Sequence, residues 1–291
     1  TFDVEDIFRD KQFAPVNDFV NNKERQTNHF VYQINKNGKV FSIQAIVFND
    51  KSFEITITDV TKAEKTRLLK QEMTNNIAHE LRTPVTSLRG YLETLNEQNL
   101  DKDKQKQFID RAYLQSVRLS NLIEDVSLIS KIEEAATQFQ MERVDISQLV
   151  NEVRIDLTDK LINNHIRFFS SIKEGLTITG NYTLLYSIFR NLTDNSISYG
   201  GQNIEVHIVN YMEDDNYLYF SYYDTGVGVE EQHLSRLFER FYRVTEGRTR
   251  DTGGSGLGLS IVKNAILLHN GNIQVKNRIS GGLEFLFTLK K

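Results

Sequence analysis

From Leu69 to Leu95 the apolar residues Leu69, Met73, Ile77, Leu81, Val85, Leu88, Leu92 and Leu95 recur at steps of 4, 4, 4, 4, 3, 4 and 3. Such steps lay one stripe on an α-helix, in the mix suited to packing against other helices. Thr61–Thr83 contains neither glycine nor proline, so the spacing predicts one uninterrupted helix from about Thr61, where the preceding segment ends. Beyond a polar loop, Asn96–Asp103, a second helix is expected from Lys104 to about Glu134. Its apolar face carries Phe108, Ala112, Leu119, Leu122, Val126 and Ile129. Two amphipathic helices joined by a short loop form an antiparallel hairpin. Two helices cannot cover both stripes alone, so a second copy is expected to complete a four-helix bundle.

One residue of the first helix is placed against the stripe. His79 lies two residues from Ile77 and from Leu81, and two residues turn a helix by about 200°. Its imidazole therefore points to water, flanked by Glu80 and Arg82. Pro84 follows inside the periodic run; it removes a helical hydrogen bond and is expected to bend the helix. A local rule broken beside an exposed histidine marks a candidate functional site, although a lone surface histidine is ordinarily nothing more.

Composition bounds the alternatives. A chain of 291 residues, 39% hydrophobic and 25% charged, has the makeup of a soluble protein of two or three domains. The formal charge is −4, with no run of five like charges, so neither a nucleic-acid surface nor a polybasic membrane patch is indicated. Zero cysteines exclude disulfides, cysteine-bound zinc and a thiol nucleophile. No apolar run approaches the roughly 18 residues of a membrane helix, and no signal peptide is visible. The chain starts at Thr1, mid-pattern, and reads as a fragment whose membrane segment lies outside it. The sequons at Asn181 and Asn191 fall in a helical stretch and read as chance.

Residues 1–60 show a helical Val16–Lys23, then strands at His29–Asn35, Val40–Asn49 and Ser52–Asp59, with turns at Asn37-Gly38 and Asn49-Asp50-Lys51. Residues 61–74 form a linking helix, 75–138 the hairpin, and 139–291 a mixed region. In that region Asp145 is an expected N-cap for a helix Ile146–Asn163. Strands are expected at His165–Ile172 and Leu176–Thr179, a helix at Tyr182–Ser198, and a hairpin of Asn203–Tyr211 with Tyr217–Tyr223. A helix from Gly258 to about His269 and strands Asn272–Asn277 and Leu283–Leu289 follow. The fold class is α+β, with a largely antiparallel sheet.

Four constellations in this last region are candidates for chemistry, and each has a plain alternative: asparagines on a solvated helix face, a turn after a strand, an isolated glycine run, and solvated arginines. Asn191 and Asn195, four apart, share one helical face, and amide oxygens suit a phosphate-bound Mg²⁺. Asp224-Thr225-Gly226-Val227-Gly228 ends a strand, where a carboxylate can accept from an exocyclic amine and glycines admit a flat ring. Gly253-Gly254-Ser255-Gly256-Leu257-Gly258 precedes a helix and can cradle phosphate on its N–H groups; its spacing is neither a Walker loop nor a Rossmann turn. Leu237–Arg243 leads into a polar, arginine-rich stretch, expected to be a lid. Within it Phe238 and Phe241 read as packing residues, and Arg243, Arg248 and Arg250 as possible phosphate partners.

Taken in order, these segments resemble the boxes of sensor histidine kinases of two-component systems. Thr74–Leu95 is similar to the H box, Asn191–Asn195 to the N box, Asp224–Gly228 to G1, Leu237–Arg243 to F and Gly253–Gly258 to G2. Gly281-Gly282-Leu283-Glu284-Phe285 resembles the closing glycine element, and Asp59-Val60-Thr61 the exit of a PAS domain. The resemblance implies a truncated PAS-like domain, a dimeric phosphoacceptor bundle and an α/β sandwich ATP-binding domain of the GHKL (Bergerat) type. It implies ATP with adenine at Asp224 near Tyr199, Gly226 and Gly228, phosphates at Gly254, Ser255, Gly256, Leu257 and Gly258, and Mg²⁺ on Asn195 with Asn191. His79 is then the nucleophile, Glu80 the acceptor of the hydrogen bond from its other ring nitrogen, Thr83 the residue that orients water for the phosphatase reaction, and a response regulator receiver domain the partner. The family's setting implies the cytoplasmic portion of a membrane-anchored bacterial sensor.

The sequence departs from the family at Ser198, where Lys or Arg is common, and at Ser196, where alanine is usual. The first difference shifts the expected phosphate contacts onto Arg243, Arg248 and Arg250. A related ATPase or a pseudokinase on the same nucleotide fold is the competing class, and the hairpin bearing His79 with Glu80 is what discriminates against it.

Overall fold

The structure, a computed structural model, describes residues 11–97, 100–134, 138–244 and 254–291. The chain divides into two units, 1–75 and 76–291. In the first, a short 3-10 turn leads into α1 (Ala14–Asn21), followed by β1 (His29–Lys36), β2 (Lys39–Val47) and β3 (Phe53–Asp59). The strands form an antiparallel sheet in the order β1-β2-β3, and Phe13 and Val16 pack with Ile34, Ile43 and Ala45 as its core. The turn Asn37-Gly38 has φ of 53° and 74°, the left-handed pair a tight hairpin needs. The unit's exit is tied down: Asp59 Oδ1 accepts from Thr61 N–H at 3.0 Å, and Val40 N–H donates to Thr61 Oγ1 at 2.9 Å.

A single helix, α2 (Thr61–Glu97), begins there and runs through Pro84 without a break; Pro84 is its buried residue. The second helix of the hairpin is α3 (Lys102–Glu134), which buries Ala112, Leu122, Ile129 and Ile132. Much of the hairpin's apolar surface is uncovered in one chain. Val85 and Leu92 are 48% and 51% exposed, and Ile109, Tyr113 and Leu114 range from 55% to 67%.

The rest comprises β4 (Glu142–Asp145), α4 (Ile146–Asp156), α5 (Thr158–Asn163), β5 (Arg167–Ser171), β6 (Thr177–Gly180), α6 (Tyr182–Tyr199), β7 (Glu205–Glu213), β8 (Tyr217–Asp224), α7 (Glu231–Leu234), α8 (Gly258–Leu268), β9 (Ile273–Asn277) and β10 (Leu283–Lys290). The main sheet runs β5-β7-β8-β10-β9, parallel only between β5 and β7. Three details differ from expectation. The helix after Asp145 breaks at Leu157, whose ψ of 7° ends α4. The unforeseen β4 pairs with β6 in a separate two-stranded sheet. The core also reaches beyond residue 139, because Ile132 of α3 belongs to it and Leu128 packs against it.

Alternation explains the core. Leu218, Phe220, Tyr222 and Asp224 of β8 all face inward, as do Leu283, Phe285, Phe287 and Leu289 of β10. Phe189 of α6 meets Phe220 and Phe287 edge-on at 6.2 and 5.9 Å. Asn181 is the N-cap of α6, its Oδ1 accepting from Leu184 N–H at 3.1 Å.

Candidate active site

A cavity of about 1440 Å³ opens between α3 and the elements α6, β8 and α8. Asp224 stands at its inner wall because it is the next residue in the buried row of β8. A carboxylate in an apolar row needs partners, and it has them. Tyr222 donates to Ser196 Oγ at 3.0 Å, and Ser196 donates to Asp224 Oδ2 at 2.9 Å. Gly226 N–H donates to Oδ1 at 2.9 Å and Leu283 N–H at 3.4 Å. Burial pushes the Tyr222 phenol up, so it stays a donor. A carboxylate offers about four acceptor positions; three are taken, and one remains for a donor in the cavity. Ser196, a small departure by sequence, is the residue that orients Asp224.

Asn191 and Asn195 both line the cavity. Asn191 Nδ2 donates to Ser187 O at 2.8 Å, and its Oδ1 lies against the glycine loop, where a Cβ on Gly258 would come within 2.7 Å of it. Gly256 has φ 72°, and a Cβ there would sit 2.8 Å from Phe241 Cα. Its carbonyl accepts from Phe241 N–H at 2.8 Å, which fastens the entrance of the arginine-rich segment to the glycine loop. Two amide oxygens, with water and phosphate oxygens completing the shell, fit Mg²⁺, which keeps most of its waters.

Tyr199, Gly228, Arg243, Gly254, Ser255 and Gly256 also line the cavity. Leu257 does not: its side chain is wholly buried, and its N–H donates to Ser255 Oγ at 3.2 Å. Gly226 lies behind Asp224 rather than on the lining, packed so that a Cβ would meet Gly200 O at 2.4 Å. Arg248 and Arg250 lie outside the described residues.

From the hairpin side, Glu80 reaches the cavity, whereas His79 and Thr83 do not line it. The His79 side chain is 73% exposed, with Nδ1 3.9 Å from Glu80 Oε1. Thr83 Oγ1 donates to His79 O at 3.4 Å. Sequence reading missed Asp125 of α3, which accepts from Ser255 Oγ at 2.8 Å. Burial pushes the Asp125 carboxyl up, with the serine bond opposing. Below it, Arg240 is ion-paired with Glu133.

Comparison with known proteins gives two family matches. Residues 69–135 match the His Kinase A (phospho-acceptor) domain, and residues 180–291 the histidine kinase-, DNA gyrase B- and HSP90-like ATPase. Phosphate regulon sensor protein PhoR of Haemophilus influenzae is 34% identical over 257 residues, covering 88% of this chain and 59% of PhoR. Sensor histidine kinase WalK of Bacillus subtilis is 29% identical over 257 residues, covering 87% of this chain and 40% of WalK. The chain thus spans roughly half the length of these relatives. Histidine kinase ThkA, solved in complex with response regulator protein TrrA, shares the fold with a TM-score of 0.61 at 24% identity, over 90% of this chain and 78% of that one. Full-length ShkA in complex with AMPPNP matches with a TM-score of 0.53 at 26% identity, over 76% of this chain and 45% of that one.

Proposed function

The chain belongs to the sensor histidine kinases of two-component systems, and from that premise we propose that it phosphorylates His79 from ATP and passes the group to an aspartate of a response regulator. The observation that carries this reading is the convergence in one cavity of Asp224, the paired asparagines, the glycine loop and Glu80 of the hairpin.

The open acceptor position on Asp224 suits the adenine amine. The N–H groups around Gly254–Gly258 and the start of α8 suit the triphosphate. Asn195 and Asn191 would hold Mg²⁺, which neutralises phosphate charge when bound. Arg243 is the lid arginine that lines the cavity among the described residues, and its charge suits the phosphates. Glu80 faces Nδ1 of His79, so Nε2 is the nitrogen left to attack. The N–P bond forms as the bond between the γ-phosphorus and the bridging oxygen breaks, ADP leaves, and the Nδ1 proton passes to Glu80. His79 does not line the cavity in this arrangement, so transfer calls for the ATP-binding domain to move along the hairpin. Thr83, one turn below His79, is suited to orient water for dephosphorylation of the regulator.

The uncovered hairpin residues support a homodimer. The β1–β3 unit with its riveted exit at Thr61 supports a PAS-like input, and the relatives' names support a sensor role. Among the described residues no helix is long and apolar enough to cross a membrane. The deciding experiment is incubation with γ-labelled ATP and Mg²⁺. Acid-labile, base-stable label on the wild type and none on His79→Gln is the expected result; label on the variant would sink the assignment. Light scattering should give a dimer at micromolar concentration.

A further inference from the structure

Glu80 sits between two partners on different helices. Its Oε1 is 3.9 Å from His79 Nδ1, and its Oε2 is 3.7 Å from Arg118 Nη2 on α3. The Glu80 and Arg118 side chains are 23% and 24% exposed, against 73% for His79. The pair is therefore partly withdrawn from water while the nucleophile remains open. A glutamate has three rotatable bonds, and on a bare helix surface its carboxylate would sample many positions. A guanidinium is planar, permanently charged and matched to a carboxylate, so Arg118 restricts that sampling from across the hairpin. Both residues also line the cavity.

Resting on the kinase reading above, we propose that Arg118 is a positioning residue for the transfer. By holding one carboxylate oxygen of Glu80, it turns the other to His79 Nδ1 and keeps the imidazole in the tautomer that presents Nε2. The proton's route is unchanged; Arg118 sets where its acceptor stands. Because Arg118 is also at the cavity wall, direct contact with the triphosphate is the competing role, and kinetics separates the two. A residue that binds nucleotide moves the KM for ATP, whereas one that acts through Glu80 moves kcat and loses its effect once Glu80 is gone.

The test uses the full chain with γ-labelled ATP, comparing wild type, Arg118→Gln, Arg118→Lys, Glu80→Gln and the Arg118→Gln/Glu80→Gln double variant. Arg118→Gln is expected to lower kcat about tenfold, a part of the roughly 10²–10⁴ a positioned base supplies. The KM for ATP should stay within about twofold, Arg118→Lys should retain most of the rate, and the double variant should match Glu80→Gln. Arg118→Met, with the same stem and no charge, replaces Gln if thermal melting shows that Gln unfolds the hairpin. A wild-type rate in Arg118→Gln, a raised KM at unchanged kcat, or full additivity with Glu80→Gln each overturns the proposal. Absence of label on the wild type would instead bring down the kinase reading itself.

Discussion

Replacing Asp224 with asparagine changes one atom and reverses the polarity of the position left open in the cavity. The amide oxygen is held toward Gly226 and Leu283, because both N–H groups there need an acceptor. The amide nitrogen then faces Ser196 and the open position. A donor now meets the amine of adenine, and a charge-assisted hydrogen bond worth about 1.5–3 kcal/mol is lost. At 1.4 kcal/mol per tenfold, ATP affinity should fall about 10- to 150-fold. Ser196 loses the acceptor of its own proton in a buried setting, which should cost a further ~1–3 kcal/mol of stability. Inosine triphosphate carries a carbonyl where adenine carries the amine, so the same variant should bind it better than the wild type does. Calorimetric titration with both nucleotides, alongside urea denaturation, reads all three effects. ATP affinity within twofold of wild type, with an unchanged preference between the nucleotides, would refute the assignment of Asp224 to the base.

Other outcomes follow from the packing. Gly282 has φ 89°, and a Cβ there would lie 2.0 Å from Asp224 O, whereas Gly38, at φ 74°, faces open space. Gly38→Ala should cost about 1–2 kcal/mol and Gly282→Ala on the order of 3 kcal/mol or more, with nucleotide binding lost only in the latter; urea midpoints and calorimetry compare them. His269 is 3% exposed, with Nδ1 2.7 Å from Ala265 O and Nε2 accepting from Asn181 N–H at 3.0 Å. Burial lowers its pKa from 6.5, so its contribution is intact above pH 6.5 and is lost as pH falls through the depressed value. Stability should therefore drop more steeply on acidification in the wild type than in His269→Gln. Asp125 carries the opposite sign. Its carboxyl is raised above 3.8 by burial, so the folded arrangement is favoured at low pH and loses ground as the pH rises through the raised value. Asp125→Asn, which can still accept from Ser255, should be the more stable protein at neutral pH, with the gap closing near pH 4; chemical denaturation at both pH values checks this.

What was legible in the sequence was local. The helix α2, the exposure of His79, the strands around Asn37-Gly38 and the paired asparagines all follow from spacings of a few residues, which backbone geometry converts directly into faces and turns. What was not legible joins residues far apart in sequence. Ser196 and Tyr222 act on Asp224 through α6 and β8, and Arg118 meets Glu80 across the hairpin; no short-range pattern encodes either. The strand β4 was missed because its partner β6 lies beyond two helices and another strand. The burial of the Leu257 side chain was not legible among its glycine neighbours, because it depends on the inner face of the helix that follows. The break at Leu157 was hidden because the apolar pattern continues across it.

Ile132 and Leu128, counted by position with the hairpin, are packed as part of the nucleotide domain. For chimeric kinases this fixes where parts are interchangeable. A graft joined after residue 138 would carry off a plug that the recipient domain needs, and would leave a greasy socket exposed to aggregation. A crossover above Asp125 keeps plug, latch and socket from one parent, so that the exchangeable cartridge is the upper hairpin with its histidine.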